Sequence, residues 1–291
     1  MSSDDKQAPT GAADAASTLD AALEERFGRH FEVPAEVASG LPFLSMLATH
    51  RVHRAYADRE VPRPLIELLC ACALSAPSKS DLQQRDIIIV DDPAIRAAIA
   101  GRLPHMPWAR EAPAFVVFCI NGRRVPAISE WKGKPFPNDH FDLLFNGVGD
   151  AAIALAWFLA AAESVGLGGC PISEIRNFAE DVSQWLGLPD RVIPFAGFCL
   201  GWPAQEGQIS PRLPYDVTVH SNRLAETDLL ARIDGYDKRR EALQPFAEQK
   251  DVERWGTVPE YGWSEQKSRQ YAVPQRTDFG AFVRGRGFKL D

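Results

Sequence analysis

GDAAIALAWFLAAAESVGLGG (Gly149–Gly169) contains the longest apolar run of the chain, AAIALAWFLAAA from Ala151 to Ala162. Alanine and leucine dominate it, which favours helix. A helix that is apolar almost all round belongs in the middle of a core or at an interface. Gly166 is placed to close it. Twelve residues are too few to cross a bilayer. The reading is therefore a helix from Asp150 to Ser164 that is buried in a core or at an interface between subunits.

Three other apolar runs have strand length: DIIIV (Asp86–Val90), AFVVFCI (Ala114–Ile120) and VIPFAGFCL (Val192–Leu200). Their β-branched and aromatic content favours strands over helix fragments. All three are apolar on both faces, so the sheet they form is expected to be covered on both sides. PAIRAAIAGRL reads as a helix between the first two. PRPLIELLCACALSA reads as a helix with Pro62 or Pro64 in its first turn and Pro77 as its stop. EIRNFAEDVSQWLG is amphipathic, with Ile175, Phe178, Val182, Trp185 and Leu186 on one side and Ser173 as N-cap. The preceding GLGGCPISEIR reads as one helix ending and the next beginning, with free N–H groups near Ser173 and Glu174 that suit an anion or an electron pair. GLGG is not a dinucleotide fingerprint, because it follows a helix.

Towards the amino end, LDAALEERFG from Leu19 is a helix closed by Gly28, and LPFLSMLATH is a shorter one. Residues 1–17 carry no large apolar anchor and are expected to be disordered. GRRVPAISEWKGKPFPNDHF (Gly122–Phe141) reads as a long Pro- and Gly-rich loop, either a functional lid or a plain surface excursion. After Asn222 charge density rises, and aromatic residues are scattered among Arg and Lys. This stretch reads as an arm that packs on the body or on a partner subunit. The expected organisation is a tail (1–18), a main domain (19–225) and a C-terminal arm (226–291).

The 291 residues are 45% hydrophobic and 24% charged, with a net charge of −7. That balance argues against a nucleic-acid surface, which needs a basic face. Five cysteines at scattered spacings give no disulfide framework and read as small hydrophobes of a reducing, cytoplasmic setting. Nothing in the sequence suggests a membrane partner.

Against that acidic background, THRVHRAYAD (Thr49–Asp58) gathers His50, Arg51, His53 and Arg54. Three readings compete: a metal site, an anion cradle, or a solvated helix end. The two arginines repel a cation, and no further ligands lie nearby with zinc spacing. At i and i+3, Arg51 and Arg54 would share one helix face, where guanidinium groups suit a phosphate. Two further stretches supply polar groups: APSKSDLQQ (Ala76–Gln84), and GWPAQEGQISPRLP, where Arg212 stands between prolines.

In this order, HRVHR, APSKSDLQ, AAESVGLGG, LGLPDRVIPFAGFCLGWP and PRLPYDVTVHSNR resemble the FMN-dependent nitroreductase family, most closely its NADPH-type subgroup. The resemblance implies an α+β fold: a mixed, mostly antiparallel sheet flanked by helices, in an intertwined homodimer with FMN at the subunit interface. It implies NADPH or NADH as electron donor and a nitroaromatic, quinone or related conjugated small molecule as acceptor, reduced by ping-pong hydride transfer. His50, Arg51, Val52 and Arg54 stand at the family's His-Arg-Ser-x-Arg pattern, with Val52 in place of the serine. Arg51 would hold the FMN phosphate or ribityl chain, and Arg54 the pyrimidine edge. Ser78, Lys79, Ser80 and Gln83 match the polar loop beside the flavin, and Asp81 stands where the subgroup often has an aromatic over the substrate. Pro171, Ile172, Ser173 and Glu174 match the segment whose backbone N–H faces flavin N5. Arg212 matches a phosphate arginine, and Ser210 replaces the lysine the subgroup usually carries there. Arg254 and Arg276 resemble substrate- or NADPH-contacting arginines. No side-chain catalytic residue and no metal are implied. Alternative readings are a same-fold flavoenzyme with different chemistry (dehalogenation, enoate reduction, aromatisation) and a flavin-binding protein without turnover.

Overall fold

A computed structural model describes residues 10–291. The helices in chain order begin with α1 (Thr10–Phe27), α2 (Leu41–Ala48), α3 (Arg63–Leu74), α4 (Pro93–Gly101) and α5 (Trp108–Glu111). Next come α6 (Arg124–Trp131), α7 (Phe141–Ser164), α8 (Ala179–Trp185) and α9 (Tyr215–Thr218). Last come α10 (Leu229–Leu243), α11 (Val252–Trp255), α12 (Trp263–Tyr271) and α13 (Phe279–Gly285). The strands are β1 (Arg85–Ile89), β2 (Ala114–Asn121), β3 (Gly168–Ile172) and β4 (Val192–Gly201). The residues form two compact units: Val52–Gly207 with Arg276–Asp291, and the described chain up to Arg51 with Gln208–Gln275.

The first unit holds the sheet, in the order β1-β2-β4-β3. Every pairing within the chain is antiparallel, in keeping with the mostly antiparallel sheet expected. Alternation along β2 divides the core. Phe115, Val117 and Cys119 face one layer, with Ile99 of α4 and Val182 of α8. Val116 and Phe118 face the other, with Leu69 of α3 and Phe158 of α7. The Phe158 ring meets the edges of Phe118 and Phe198 at 5.5 and 5.3 Å between centroids. Pro194 interrupts β4 opposite the register shift at Phe118/Cys119, where a residue without an N–H is tolerated. Both faces of the sheet are covered, as the three apolar runs implied.

Several elements differ from the sequence reading. Gly168–Ile172, read as a helix junction, is a strand that lies against β4. Its glycines serve close packing rather than a turn. A Cβ on Gly169 would stand 2.1 Å from the Phe198 ring and 2.5 Å from the Cys199 carbonyl oxygen. Neither neighbour can yield, since Phe198 is fully buried and the carbonyl is backbone. Gly169→Ala should therefore destabilise the protein by about 1–3 kcal/mol, the usual cost of overpacking. A denaturant midpoint equal to that of the parent would refute this account of β3.

Helix α7 begins nine residues earlier than Asp150 and runs for 24 residues. Among the described residues it is the one helix with the length and apolarity to cross a membrane. Here Leu143, Ala151, Ala154, Phe158 and Ala162 form a buried face within the sheet unit. The stretch Gly122–Phe141 is not a loop throughout, because Arg124–Trp131 folds as α6, with Asn121 Oδ1 accepting from the N–H groups of Arg123 and Arg124. Ser173 caps nothing: Ser173–Phe178 is a 3₁₀ turn whose preceding residue is Ile172, and α8 starts only at Ala179. The tail expected to be disordered is helical from Thr10; the rest of that expectation lies outside the described residues. Of the cysteines, Cys119, Cys170 and Cys199 are buried, whereas Cys72 is exposed on α3.

In the second unit, Leu19 and Ala22 of α1 pack on Leu41 and Ala48 of α2 and on Ile209. Gly28 follows α1 with φ +70°, the left-handed conformation for which glycine is suited.

Candidate functional site

In the sheet unit, the segment Ala76–Gln84 is held by one buried carboxylate. Asp150, 1% exposed in the middle of α7, accepts hydrogen bonds from Ser78 Oγ (2.7 Å), Lys79 N (3.0 Å) and Gln84 N (2.8 Å). Ser78 Oγ in turn accepts from Gln83 N at 2.7 Å. The Arg85 guanidinium lies 3.8 Å from Asp150 and donates to the carbonyls of Leu74, Ala76 and Pro77, which tie off the end of α3. Between these anchors Ser80, Asp81 and Gln83 adopt left-handed backbone, with φ of 49°, 57° and 52°. Such conformations cost about 1–3 kcal/mol each in non-glycine residues and persist where their surroundings enforce them. The result is an exposed loop presenting Lys79, Ser80, Asp81 and Gln83, with the Gln83 amide donating to Asp81 at 3.0 Å. The Ser78 hydroxyl, expected to face a ligand, instead builds the loop. Asp150 was missed as a functional residue. Its only signal in the sequence is a lone carboxylate at the head of an apolar run.

The basic cluster is not helical. Residues 50–55 form no helix, so Arg51 and Arg54 do not share a helix face. The reason lies in β3: His53 N–H donates to the Gly169 carbonyl at 3.1 Å, and Tyr56 bridges Pro203. Gly168 leaves room for the His53 ring, since a Cβ there would sit 2.5 Å from it. Exposed Arg54 places its guanidinium 5.4 Å from the Trp108 ring centre. Burial pushes the neighbouring Cys170 thiol upward, and Arg54 opposes that shift. Val52 is exposed beside it.

Pro171 and Ser173 are exposed where β3 turns into the 3₁₀ helix, and Ile172 is buried beneath them. The Glu174 carboxylate meets His105 Nε2 at 3.0 Å. Arg276, itself left-handed at φ 54°, donates from Nε to Asn177 at 2.6 Å. It therefore stands beside the same 3₁₀ turn.

The other unit carries His50, Arg51, Arg212 and Arg254. Arg26, 5% exposed on α1, donates to the carbonyls of Ala48 (2.5 Å), Ser210 (3.2 Å) and His50. Arg212 N–H returns a bond to the Arg26 carbonyl at 2.7 Å. Arg239 crosslinks the carbonyls of Arg26 (2.7 Å) and Arg212 (2.8 Å). His50, Arg26 and Arg212 line one cavity of about 470 Å³ with Leu19, Leu44 and Leu47. Arg26 and Arg239 had no sequence signal; each is an arginine on a charged helix like many others. Arg254 lies exposed on α11, 4.9 Å from the Trp255 ring, and is not a wall of that cavity.

Among the described residues no carboxylate pairs with Arg54 or Arg212 within 4.0 Å, although other surface arginines are so paired. Cations left without a counter-ion are the donor set that a phosphate and an electron-accepting ring require. Each unit thus holds, by itself, a guanidinium of the kind that FMN requires, Arg54 in one and Arg212 in the other. No group of three or more His, Cys, Asp or Glu able to hold a metal occurs among the described residues.

A model of the nitroreductase family matches residues 47–202, and one of the nitroreductase family C-terminal domain matches residues 210–291. An oxygen-insensitive NADPH nitroreductase of Salmonella typhimurium is 38% identical over 66% of this chain and 80% of its own. An NADPH-flavin oxidoreductase of Vibrio harveyi is 30% identical over 84% of this chain and 97% of its own. Among solved structures, nitroreductase A from Vibrio parahaemolyticus superposes with a TM-score of 0.73 at 29% identity, covering 84% and 97% of the two chains.

Proposed function

The chain belongs to the nitroreductase family, and on that premise we propose that it is an FMN-dependent oxidoreductase using NADPH or NADH to reduce nitroaromatic, quinone or related conjugated acceptors by ping-pong hydride transfer. The observation that carries the reading is the strained loop of Ser80, Asp81 and Gln83 held by Asp150, which presents polar groups in one fixed geometry. FMN, when bound, supplies the two-electron chemistry, and the protein supplies binding and orientation. Arg51 and Arg212 hold the phosphate end. Arg54 neutralises charge at the pyrimidine edge. Ser173, exposed, and Glu174, half-buried, would offer a backbone N–H to the flavin ring. Lys79, Ser80 and Gln83 contact the flavin's flank, while Asp81, Arg254 and Arg276 face the second substrate. No side-chain general acid is required, since water reaches an open site.

We infer a homodimer from the outer stripe of α7. Phe141, Phe145, Val148, Ile153 and Trp157 recur at helical spacing and are exposed, Phe145 to 64%. A contiguous apolar patch of this kind marks an interface. The C-terminal arm, residues 226–291, is proposed to pack on the body or on the partner. Five free cysteines suit a reducing cytoplasm.

The test is an anaerobic stopped-flow trace of FMN-loaded protein mixed with NADPH, and separately with NADH. Rapid bleaching near ~450 nm, where oxidised flavin absorbs, is expected with at least one donor. Absence of bleaching with both would overturn the reductase reading in favour of flavin binding without nicotinamide-driven turnover.

A further inference from the structure

Helix α1 precedes the residues matched by either family model, which begin at 47 and 210. The Vibrio parahaemolyticus protein is covered over 97% of its length by 84% of this chain, so this chain carries residues that relative lacks. What α1 adds to its own unit is legible in the contacts of one buried side chain.

Ala48 is the last residue of α2, and the closing carbonyls of a helix have no partner within it. Arg26 of α1 supplies one: its Nε donates to the Ala48 carbonyl at 2.5 Å. Its Nη2 donates to the carbonyl of His50, the residue before Arg51. Its Nη1 donates to the Ser210 carbonyl at 3.2 Å, two residues before Arg212. A planar guanidinium spans these acceptors at once, which the point charge of a lysine does not. The tie is reciprocal. The Arg26 carbonyl accepts from the Arg212 N–H at 2.7 Å and from Arg239 Nη2 at 2.7 Å, and Arg239 Nη2 also donates to the Arg212 carbonyl at 2.8 Å. Beyond Arg26, Phe27 and Phe31 pack edge to face on Tyr215 at 6.1 and 5.1 Å, and Phe31 N–H donates to Asp20 at 2.8 Å, which folds the chain back on α1. Two backbone segments far apart in sequence, each leading into an arginine, are thus fastened to one added helix.

We propose that Arg26 is a positioning residue, supplied by a helix outside the family models, that sets the geometry in which Arg51 and Arg212 are presented. The proposal rests on the functional reading above for what those two arginines hold. Arg26 itself makes its hydrogen bonds to backbone and acts on a ligand through them. Its loss should therefore be felt at the phosphate end of FMN and not at the ring, which is assigned to Arg54 and to Lys79, Ser80 and Gln83 in the other unit.

The test is a fluorescence titration of full-length apo-protein with FMN and with riboflavin, alongside thermal unfolding. Arg26→Met should weaken FMN by about tenfold, the equivalent of one charge-assisted contact, and leave riboflavin affinity unchanged. Arg26→Lys keeps the charge but loses the fork, and should bind FMN as weakly as Arg26→Met. If Arg26→Met does not fold, Arg239→Gln removes the crosslink between the Arg26 and Arg212 carbonyls and should show the same selective loss. A lower Tm with both flavins weakened equally would overturn the proposal, since that is the mark of a merely structural contact. So would unchanged affinity for FMN, or full recovery in Arg26→Lys, which would make charge rather than position the cause. A parent protein that binds neither flavin is a separate result: it would overturn the functional reading, and the proposal with it.

Discussion

Asp150→Ala should lower stability by about 3–5 kcal/mol, the range for removing one partner of a buried charged network. The carboxylate accepts three hydrogen bonds, from Ser78, Lys79 and Gln84, and faces the buried Arg85 at 3.8 Å. Truncation leaves those donors without their acceptor and the guanidinium without its counter-charge. The penalty is that of buried unsatisfied groups, larger than the net worth of the bonds themselves. It also releases the constraint that keeps Ser80, Asp81 and Gln83 left-handed. For a chain of this size such a loss corresponds to a fall in Tm of roughly 10 °C. Asp150→Asn should be intermediate: one oxygen still accepts, but its amide N–H₂ group would face donors. Thermal unfolding of the apo-proteins checks this, and an Asp150→Ala Tm within a degree or two of the parent would show that the loop holds itself. Affinity for FMN should fall in parallel, because the loop's polar groups would no longer be presented in one geometry.

That Asp150 carries so much weight shows where the sequence is legible and where it is not. The strands β1, β2 and β4 are readable because β-branched and aromatic residues fill both faces, and burial on both sides follows from the same fact. β3 is hidden because it has the composition of a turn: two glycines, a cysteine and a proline in five residues. Its glycines answer to what lies across from them, Phe198 and His53, and no local pattern encodes a neighbour. Helix α6 is hidden because the prolines and glycines around it outweigh eight helical residues capped from Asn121. The basic cluster shows the same limit in another form. Its residue types suggest an anion, yet its helical spacing is incidental, since the segment is not helical and His53 pairs with Gly169 instead. Motif order identified the family from scattered residues; the carboxylate and buried arginines that position those residues carry no motif.

Arg51→Ala and Arg54→Ala should each weaken FMN binding by at least tenfold. One charge-assisted hydrogen bond contributes about 1.5–3 kcal/mol, and tenfold corresponds to about 1.4 kcal/mol. The two substitutions should differ in kind. If Arg51 holds the phosphate or ribityl end, its loss should reduce affinity for FMN more than for riboflavin, because riboflavin lacks the phosphate. Arg54 lies against Trp108 and Cys170 in the unit that carries β3, where the partners are a ring and a thiol rather than an acid. Its loss should weaken FMN and riboflavin equally. It should also lower the reduction potential of bound flavin, since a cation at the pyrimidine edge stabilises the charge gained on reduction. Lys in place of Arg54 would keep the charge but lose the planar fork, and should recover the potential better than the affinity. Fluorescence titration of apo-protein with both flavins, followed by potentiometry, separates these effects. Unchanged affinity in both alanine variants would return the cluster to a solvated surface. A potential unmoved by Arg54→Ala would place that guanidinium away from the ring.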